Sequence, residues 1–371
     1  MTGGSPAQHP RATAALGVAL GVAFTVCFVT GLISDLIQEP RAWLTWPARP
    51  RDLYRWTQGA HLVSGVVSIP LLLAKLFTVS RKLWVWPPAR GLAHAVERLA
   101  LVPLVGGSLL LLLTGLLNVF YWYPFPFSFT TTHYWTAWIT VGALLVHLGA
   151  KLPVARAALR RPAAAAAAAQ DAWAQDRRRF LATVGVAAGI VGVSYLGSIV
   201  SPLRALAVLA PRRSDTGPQG LPVNKTAADV KVVQAARDPA YRLQVIGAVD
   251  RPLHLGLAEL RARANREADL PIACVEGWSV GARWRGVPVR ALLAEAGAQP
   301  FTHVVVRSLQ RQGPYAGSIL NRPHAMDPDT LLALDLNGAP LHLDHGFPVR
   351  LIAPNNPGVM QTKWVRSLEV R

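Results

Sequence analysis

Pro271-Ile272-Ala273-Cys274-Val275-Glu276-Gly277-Trp278-Ser279 sets a single cysteine at the end of an apolar run, followed by Glu, Gly and Trp. A thiolate is a soft donor suited to a metal. A lone buried cysteine is more often inert packing, so Cys274 has to be read with its surroundings. The other cysteine of the chain, Cys27, lies far away in an apolar run. The two settings argue against a disulfide, and the count excludes a disulfide framework or a four-cysteine zinc or iron–sulfur site within one chain.

Outward from Cys274 the composition changes sharply. Hydrophobic residues make up 51% of the 371 and charged residues 16%, a balance that points to membrane spans. Five stretches have the roughly 20 apolar residues that a helix needs to cross a bilayer: Ala14–Ile33, Gly59–Val79, Leu99–Phe120, Trp135–Leu152 and Phe180–Val200. The first lacks a charged leader and a small-residue cleavage site, so it reads as a retained span. The expected organisation is a four-helix membrane domain over 1–155, a cytoplasmic Ala/Arg-rich linker over 156–179 and a fifth, anchoring helix over 180–203. A linker over 204–220 and a mixed α and β domain over 221–371 follow. Short β-type runs at Leu243–Val249, His303–Ser308 and Val349–Ile352 alternate there with helical runs at Leu257–Arg263 and Val289–Ala296.

Lys plus Arg is 38 and Asp plus Glu is 20, a net charge of +18. No nucleic-acid-binding motif accompanies it. Instead Arg81, Lys82, Arg90 and Arg98 lie between spans two and three, and Lys151, Arg156, Arg160, Arg161 and Arg177 to Arg179 between four and five. The segment Tyr121–Thr132, between three and four, is uncharged and aromatic. Positive loops mark the cytoplasm, which puts the N-terminus inside, the protein in the cell membrane with several passes, and the C-terminal domain outside. The loop with Arg41, Arg49, Arg51 and Arg55 runs against this rule. The low-complexity run Ala163–Ala169 falls in the cytoplasmic linker.

Arg177-Arg178-Arg179-Phe180-Leu181 stands directly before the fifth apolar run and resembles the core of twin-arginine export signals. That makes the export machinery for folded proteins an expected partner, beside membrane lipid. Four histidines, His61, His94, His133 and His147, lie in or at the ends of spans, where polar side chains are functional candidates by default. His133 and His147 are 14 positions apart, which returns to nearly the same helix face about 21 Å away. That spacing resembles di-haem cytochromes b. It pairs His61 with His133 for an outer haem b and His94 with His147 for an inner one, bis-histidine sites suited to electron transfer. Gly59, Gly65, Gly106, Gly107, Gly115 and Gly142 allow close approach of helices or a porphyrin.

After the cysteine motif come Trp284-Arg285-Gly286-Val287-Pro288-Val289-Arg290, then Gly313-Pro314-Tyr315-Ala316-Gly317. Asp327-Pro328-Asp329-Thr330 leads into Leu334-Asp335-Leu336-Asn337-Gly338, His345-Gly346-Phe347-Pro348-Val349-Arg350 and Gly358-Val359-Met360-Gln361-Thr362-Lys363-Trp364. This ordered set resembles the catalytic domain of the sulfite oxidase family. The resemblance implies an α+β domain that binds a molybdenum-molybdopterin cofactor, with Cys274 as metal ligand and Tyr315 near the metal. It also implies pterin contacts from Asn224, His345, Arg350, Gly358, Gln361 and Lys363, groups able to meet an anionic tail. Where sulfite oxidases carry an arginine-containing segment after the cysteine, this chain has Val275 to Ser279. That looks more like bacterial methionine sulfoxide reductases, since Glu276 disfavours an anionic substrate.

The whole chain resembles membrane-anchored molybdenum oxidoreductases of the actinobacterial type. The expectation is two-electron, oxygen-atom-transfer chemistry on a small molecule outside the membrane, linked through haem to or from a quinone. Two alternatives stand beside it: the same enzyme on a haem-free anchor with a separate redox partner, and a binding module that has lost its metal.

Overall fold

The computed structural model describes residues 9–39, 41, 43–84, 86, 91–160, 171–313 and 315–371. The alanine run at 163–169, together with Arg90, Arg161 and Pro314, lies outside them. Among the described residues five helices are long and apolar enough to cross a membrane: α1 (Pro10–Gln38), α2 (Leu53–Leu83), α3 (Leu92–Val119), α4 (Phe129–Arg160) and α5 (Asp171–Gly197). α1, α2 and α4 contain the first, second and fourth apolar stretches whole and extend beyond them, whereas α3 ends one residue before Phe120 and α5 three before Val200. Hydroxyl groups inside these helices bond their own backbone: Ser64 donates to Ala60 O, Ser108 to Leu104 O and Thr114 to Leu110 O. Small polar residues are thereby accommodated on apolar helices.

The chain divides into two compact units, and the division does not follow sequence order. The first unit joins residues up to Thr30 with Ala60–Leu196. Its apolar centre combines Leu16, Leu20 and Ala23 of α1 with Leu71 and Leu72 of α2 and Val184 of α5; Leu112 of α3 packs against it. The fifth helix therefore packs into the helical core instead of standing off as a detached anchor. α3 and α4 lie against each other at Gly107, where a β-carbon would collide with the Thr140 hydroxyl. A β-carbon at Gly106 or Gly142 would meet no atom within 4 Å.

The second unit joins Gly31–Gly59 with Gly197–Arg371. Its elements are α6 (Val233–Arg237), β1 (Arg242–Gly247), β2 (Leu253–Gly256), α7 (Leu257–Arg263), β3 (Arg266–Ala273), β4 (Ser279–Pro288), α8 (Val289–Glu295), β5 (His303–Ser308), β6 (Gly317–Asn321), α9 (Arg322–Met326), β7 (Leu331–Leu336), β8 (Ala339–Pro340), β9 (Arg350–Ile352) and β10 (Val365–Val370). Two mixed-order sheets result: β2-β1-β10-β5-β6, and β3-β4-β7-β8 with β9 also on β7. β1 and β10 run parallel and the other pairs antiparallel. Leu243, Val245, Val304, Val306, Leu368 and Val370 face the core of the first sheet, each two residues from the next on its strand, as pleated strands with one buried face require. β7 is buried along its whole length, as a central strand should be. The sequence reading finds β5 and α7 at their observed ends but misses the β3–β4 pair, where Ala282 and Trp284 are buried and Arg283 and Arg285 exposed between and beside them.

The unit boundary falls inside the segment expected as one membrane domain, 1–155. Gly31–Gly59 packs with the C-terminal domain because its polar groups are satisfied there. Arg49 makes a two-nitrogen pairing with Asp327 at 2.8 and 2.9 Å and reaches Asp329 at 2.7 Å. Asn355 accepts from Tyr54 N at 2.7 Å, donates from its own N to Arg51 O at 2.9 Å and donates from Nδ2 to Pro47 O at 2.7 Å.

Candidate active site

β3 ends at Ala273 and β4 begins at Ser279, so Cys274 opens the turn of an antiparallel hairpin. The turn closes on itself through Cys274 N to Trp278 O at 2.9 Å and Gly277 N to Cys274 O at 3.1 Å. Gly277, at φ 92, takes the left-handed conformation this tight closure needs. The thiol is 4% exposed and receives two N–H donors, Asn224 Nδ2 at 3.1 Å and Glu276 N at 3.5 Å. Arg212 holds the far end of the same amide, Asn224 Oδ1, at 2.8 Å and lies 3.4 Å from Glu276.

Burial pushes the Cys274 thiol up to about 12, and the Glu276 carboxylate acts in the same direction, against the two N–H donors and Arg212. Such a group is a protonated thiol by itself and becomes a thiolate when a cation coordinates it. Burial also raises Glu276, with Arg212 opposing.

Of the residues carried over from the family motifs, Asn224, Gly358, Arg350 and Lys363 lie near this turn. Gly358 lies against the residue before the cysteine: a β-carbon there would come within 3.1 Å of Ala273 O. Gln361, 1% exposed, donates to Asn356 O at 3.0 Å. Lys363 donates to Lys225 O at 2.7 Å, next to Asn224, and to Asp344 O at 2.8 Å, next to His345. Burial and then the neighbouring Arg350 bring the Lys363 ammonium down to about 7. Arg350 opens β9, donates to His345 O at 3.2 Å and stacks its guanidinium 5.5 Å over Trp284; burial lowers it to about 10. His345 Nε2 lies 2.7 Å from Pro218 O, and because a carbonyl only accepts, Nε2 carries the proton and Nδ1 is left as an acceptor. Burial followed by Arg350 holds His345 down to about 4, hence neutral. Tyr315 is half-buried in the turn leading to β6.

These groups fit an anionic pterin cofactor. Arg350 Nε, Asn356 Nδ2, Gln361 Oε1 and Ser279 Oγ are buried with no hydrogen-bond partner, although native interiors rarely leave such atoms unpaired. Sequence reasoning missed Arg212 and Asn356. Neither belongs to a motif, and their role comes from position alone.

In the first unit, the His61 and His133 ring centroids are 6.1 Å apart. His61 Nδ1 lies 2.8 Å from Cys27 O and donates to it, leaving its Nε2 as an acceptor, and His133 Nδ1 shares a 3.0 Å hydrogen bond with the Thr114 hydroxyl. Near the inner pair, Lys151 of α4 bonds Glu97 of α3 at 2.6 Å.

Residues 228–371 match the family described as the oxidoreductase molybdopterin binding domain. The chain is similar to sulfite oxidase of Gallus gallus, at 35% identity over 166 residues, covering 37% of this chain and 36% of that one. It is similar to the protein-methionine-sulfoxide reductase catalytic subunit MsrP of Gluconobacter oxydans, at 32% over 146 residues, 35% of this chain and 46% of that one. An uncharacterized oxidoreductase, YuiH, of Bacillus subtilis is 29% identical over 167 residues, 43% of this chain and 82% of that one. The chain thus spans about a third of the length of the sulfite oxidases it matches, 36%, 28% and 30% for three of them. Residues 228–371 thus match the oxidoreductase molybdopterin binding domain and are similar to sulfite oxidases and to MsrP.

Proposed function

We propose that this chain is a membrane-bound molybdenum-cofactor oxidoreductase whose active site lies outside the membrane and exchanges electrons with a quinone through haem b. The observation that carries the catalytic half is the Cys274 thiol with two N–H donors, set among buried, unpaired donors and acceptors. When bound, the cofactor supplies a two-electron centre that takes up or gives one oxygen atom. Cys274 would ligate the metal, and Asn224 and Glu276 N would hold the thiolate lone pairs. Arg350 and Lys363 would meet the anionic tail, and His345 Nδ1 would accept a pterin N–H.

A neutral, sulfoxide-type substrate is favoured over sulfite. The Glu276 carboxyl beside Cys274 opposes further negative charge there, which disfavours a dianion at the metal.

The haem reading rests on His61 and His133. Two imidazoles across one iron have centroids about 6 Å apart, given metal–nitrogen bonds of about 2 Å, and anchored Nδ1 atoms present Nε2 for ligation. The outer pair alone carries this reading. The topology is supported by the arginine-rich loop that runs against the positive-inside rule. Arg41, Arg49 and Arg55 are paired with Asp35, Asp327 and Asp52. An odd number of spans puts that loop and the C-terminal domain on the same side, as the Arg49–Asp327 pairing requires. Export by the twin-arginine route suits a domain that folds around its cofactor before crossing.

The test is metal and haem analysis of the purified membrane protein, followed by turnover with methyl sulfoxides, N-oxides and sulfite. Molybdenum, a b-type spectrum and sulfoxide reduction are expected. Protein free of molybdenum would sink the catalytic reading, and absence of haem would leave only the anchored enzyme.

A further inference from the structure

The turn that carries Cys274 is held by residues from outside the family-matched region 228–371. Gln58 Nε2 donates to Val275 O at 3.3 Å. Ser198 donates from its hydroxyl to Gly277 O at 3.2 Å and accepts from Ser279 N at 3.0 Å. Tyr54, 1% exposed, packs against Ala273. Gln58 is itself fixed: it is 8% exposed, and the Ser34 hydroxyl donates to its Oε1.

The Val275 carbonyl and the Glu276 N–H belong to one peptide plane. One end of that plane accepts from Gln58, and the other donates to the Cys274 sulfur at 3.5 Å. Rotation of the plane would break both bonds together. We propose that Gln58 is a positioning residue for the metal site: by holding the Val275 carbonyl it aims the Glu276 N–H at the Cys274 thiolate. The end of α2 thereby sets the donor strength of a ligand in the catalytic domain. A second-shell hydrogen bond to a metal ligand orients it and tunes the metal. This inference rests on Cys274 being the molybdenum ligand.

The experiment uses the full-length, cofactor-loaded protein with Gln58→Leu, which removes the donor, and Gln58→Glu, which keeps the shape but presents oxygens to the carbonyl. Molybdenum content is expected to stay at the wild-type level. The Mo(V) resonance and the thiolate-to-metal absorption should shift, with kcat for a methyl sulfoxide and a reduced-dye donor falling about 10- to 100-fold and KM within about twofold. If Gln58→Leu does not fold, Ser34→Ala frees the same amide while keeping its donor, and a smaller shift in the same direction is expected. Loaded variants with the wild-type resonance and kcat overturn the role of Gln58. Wild-type protein without molybdenum overturns the functional reading, and the proposal with it.

Discussion

The Asn224 side-chain amide donates to the Cys274 sulfur at 3.1 Å while Arg212 grips its carbonyl end at 2.8 Å. The amide is therefore oriented before any metal arrives. Asn224→Ala is expected to lower metal occupancy or turnover about 10- to 100-fold. Cys274→Ser should abolish sulfoxide turnover. Elemental analysis beside steady-state kinetics checks both, and full activity in Cys274→Ser would remove the thiolate from the mechanism.

His61→Ala and His133→Ala should each eliminate the b-type absorption. Reduction of substrate by an artificial dye is expected to persist, and quinol-driven turnover to disappear. Retention of the full haem spectrum in either variant would exclude the outer pair as ligands.

Arg49 faces two nearly buried carboxylates, Asp327 and Asp329. Its own side chain is 44% exposed, so solvent screening limits the loss in Arg49→Ala to about 1–2 kcal/mol. Burial alone would raise the Asp329 carboxyl, but Arg266 and Arg49 bring it below its ordinary value. A depressed carboxyl stabilises the fold above its unfolded value, about pH 4, and that contribution is lost as pH falls through the folded value. Thermal unfolding of wild type should therefore weaken below about pH 4. Arg49→Ala should show a smaller acid-dependent loss, and equal slopes would contradict the pairing.

Lys363 is lowered to about 7 by burial and Arg350. Between that value and the unfolded one, about 10.4, the unfolded chain binds more protons, so stability rises with pH. Cofactor-free protein is expected to gain thermal stability from pH 7 to 10. An anionic cofactor would favour the ammonium and remove that gain, so identical pH profiles with and without cofactor would dissociate Lys363 from its binding.

The cysteine motif and the later motifs were legible because their spacing is local and their order is kept. Asn224, His345, Arg350, Gly358 and Lys363 do lie around Cys274 or join one another through short hydrogen bonds. Gln58 was not legible. It reads as a polar residue at the edge of an apolar run, and nothing in its neighbourhood announces a carbonyl more than 200 positions away. Arg49 read as an exception to a charge rule until its carboxylate partners were in view.

From the sequence alone came the five apolar stretches, the mixed α and β character of the C-terminal part and the cysteine proposed to bind the metal, all read from periodicity, composition and local order. The tertiary structure decided what surrounds that cysteine. Buried polar groups must find partners wherever the chain can bring them, and for the Cys274 turn some of those partners come from Gly31–Gly59, a segment the sequence had assigned to the membrane domain.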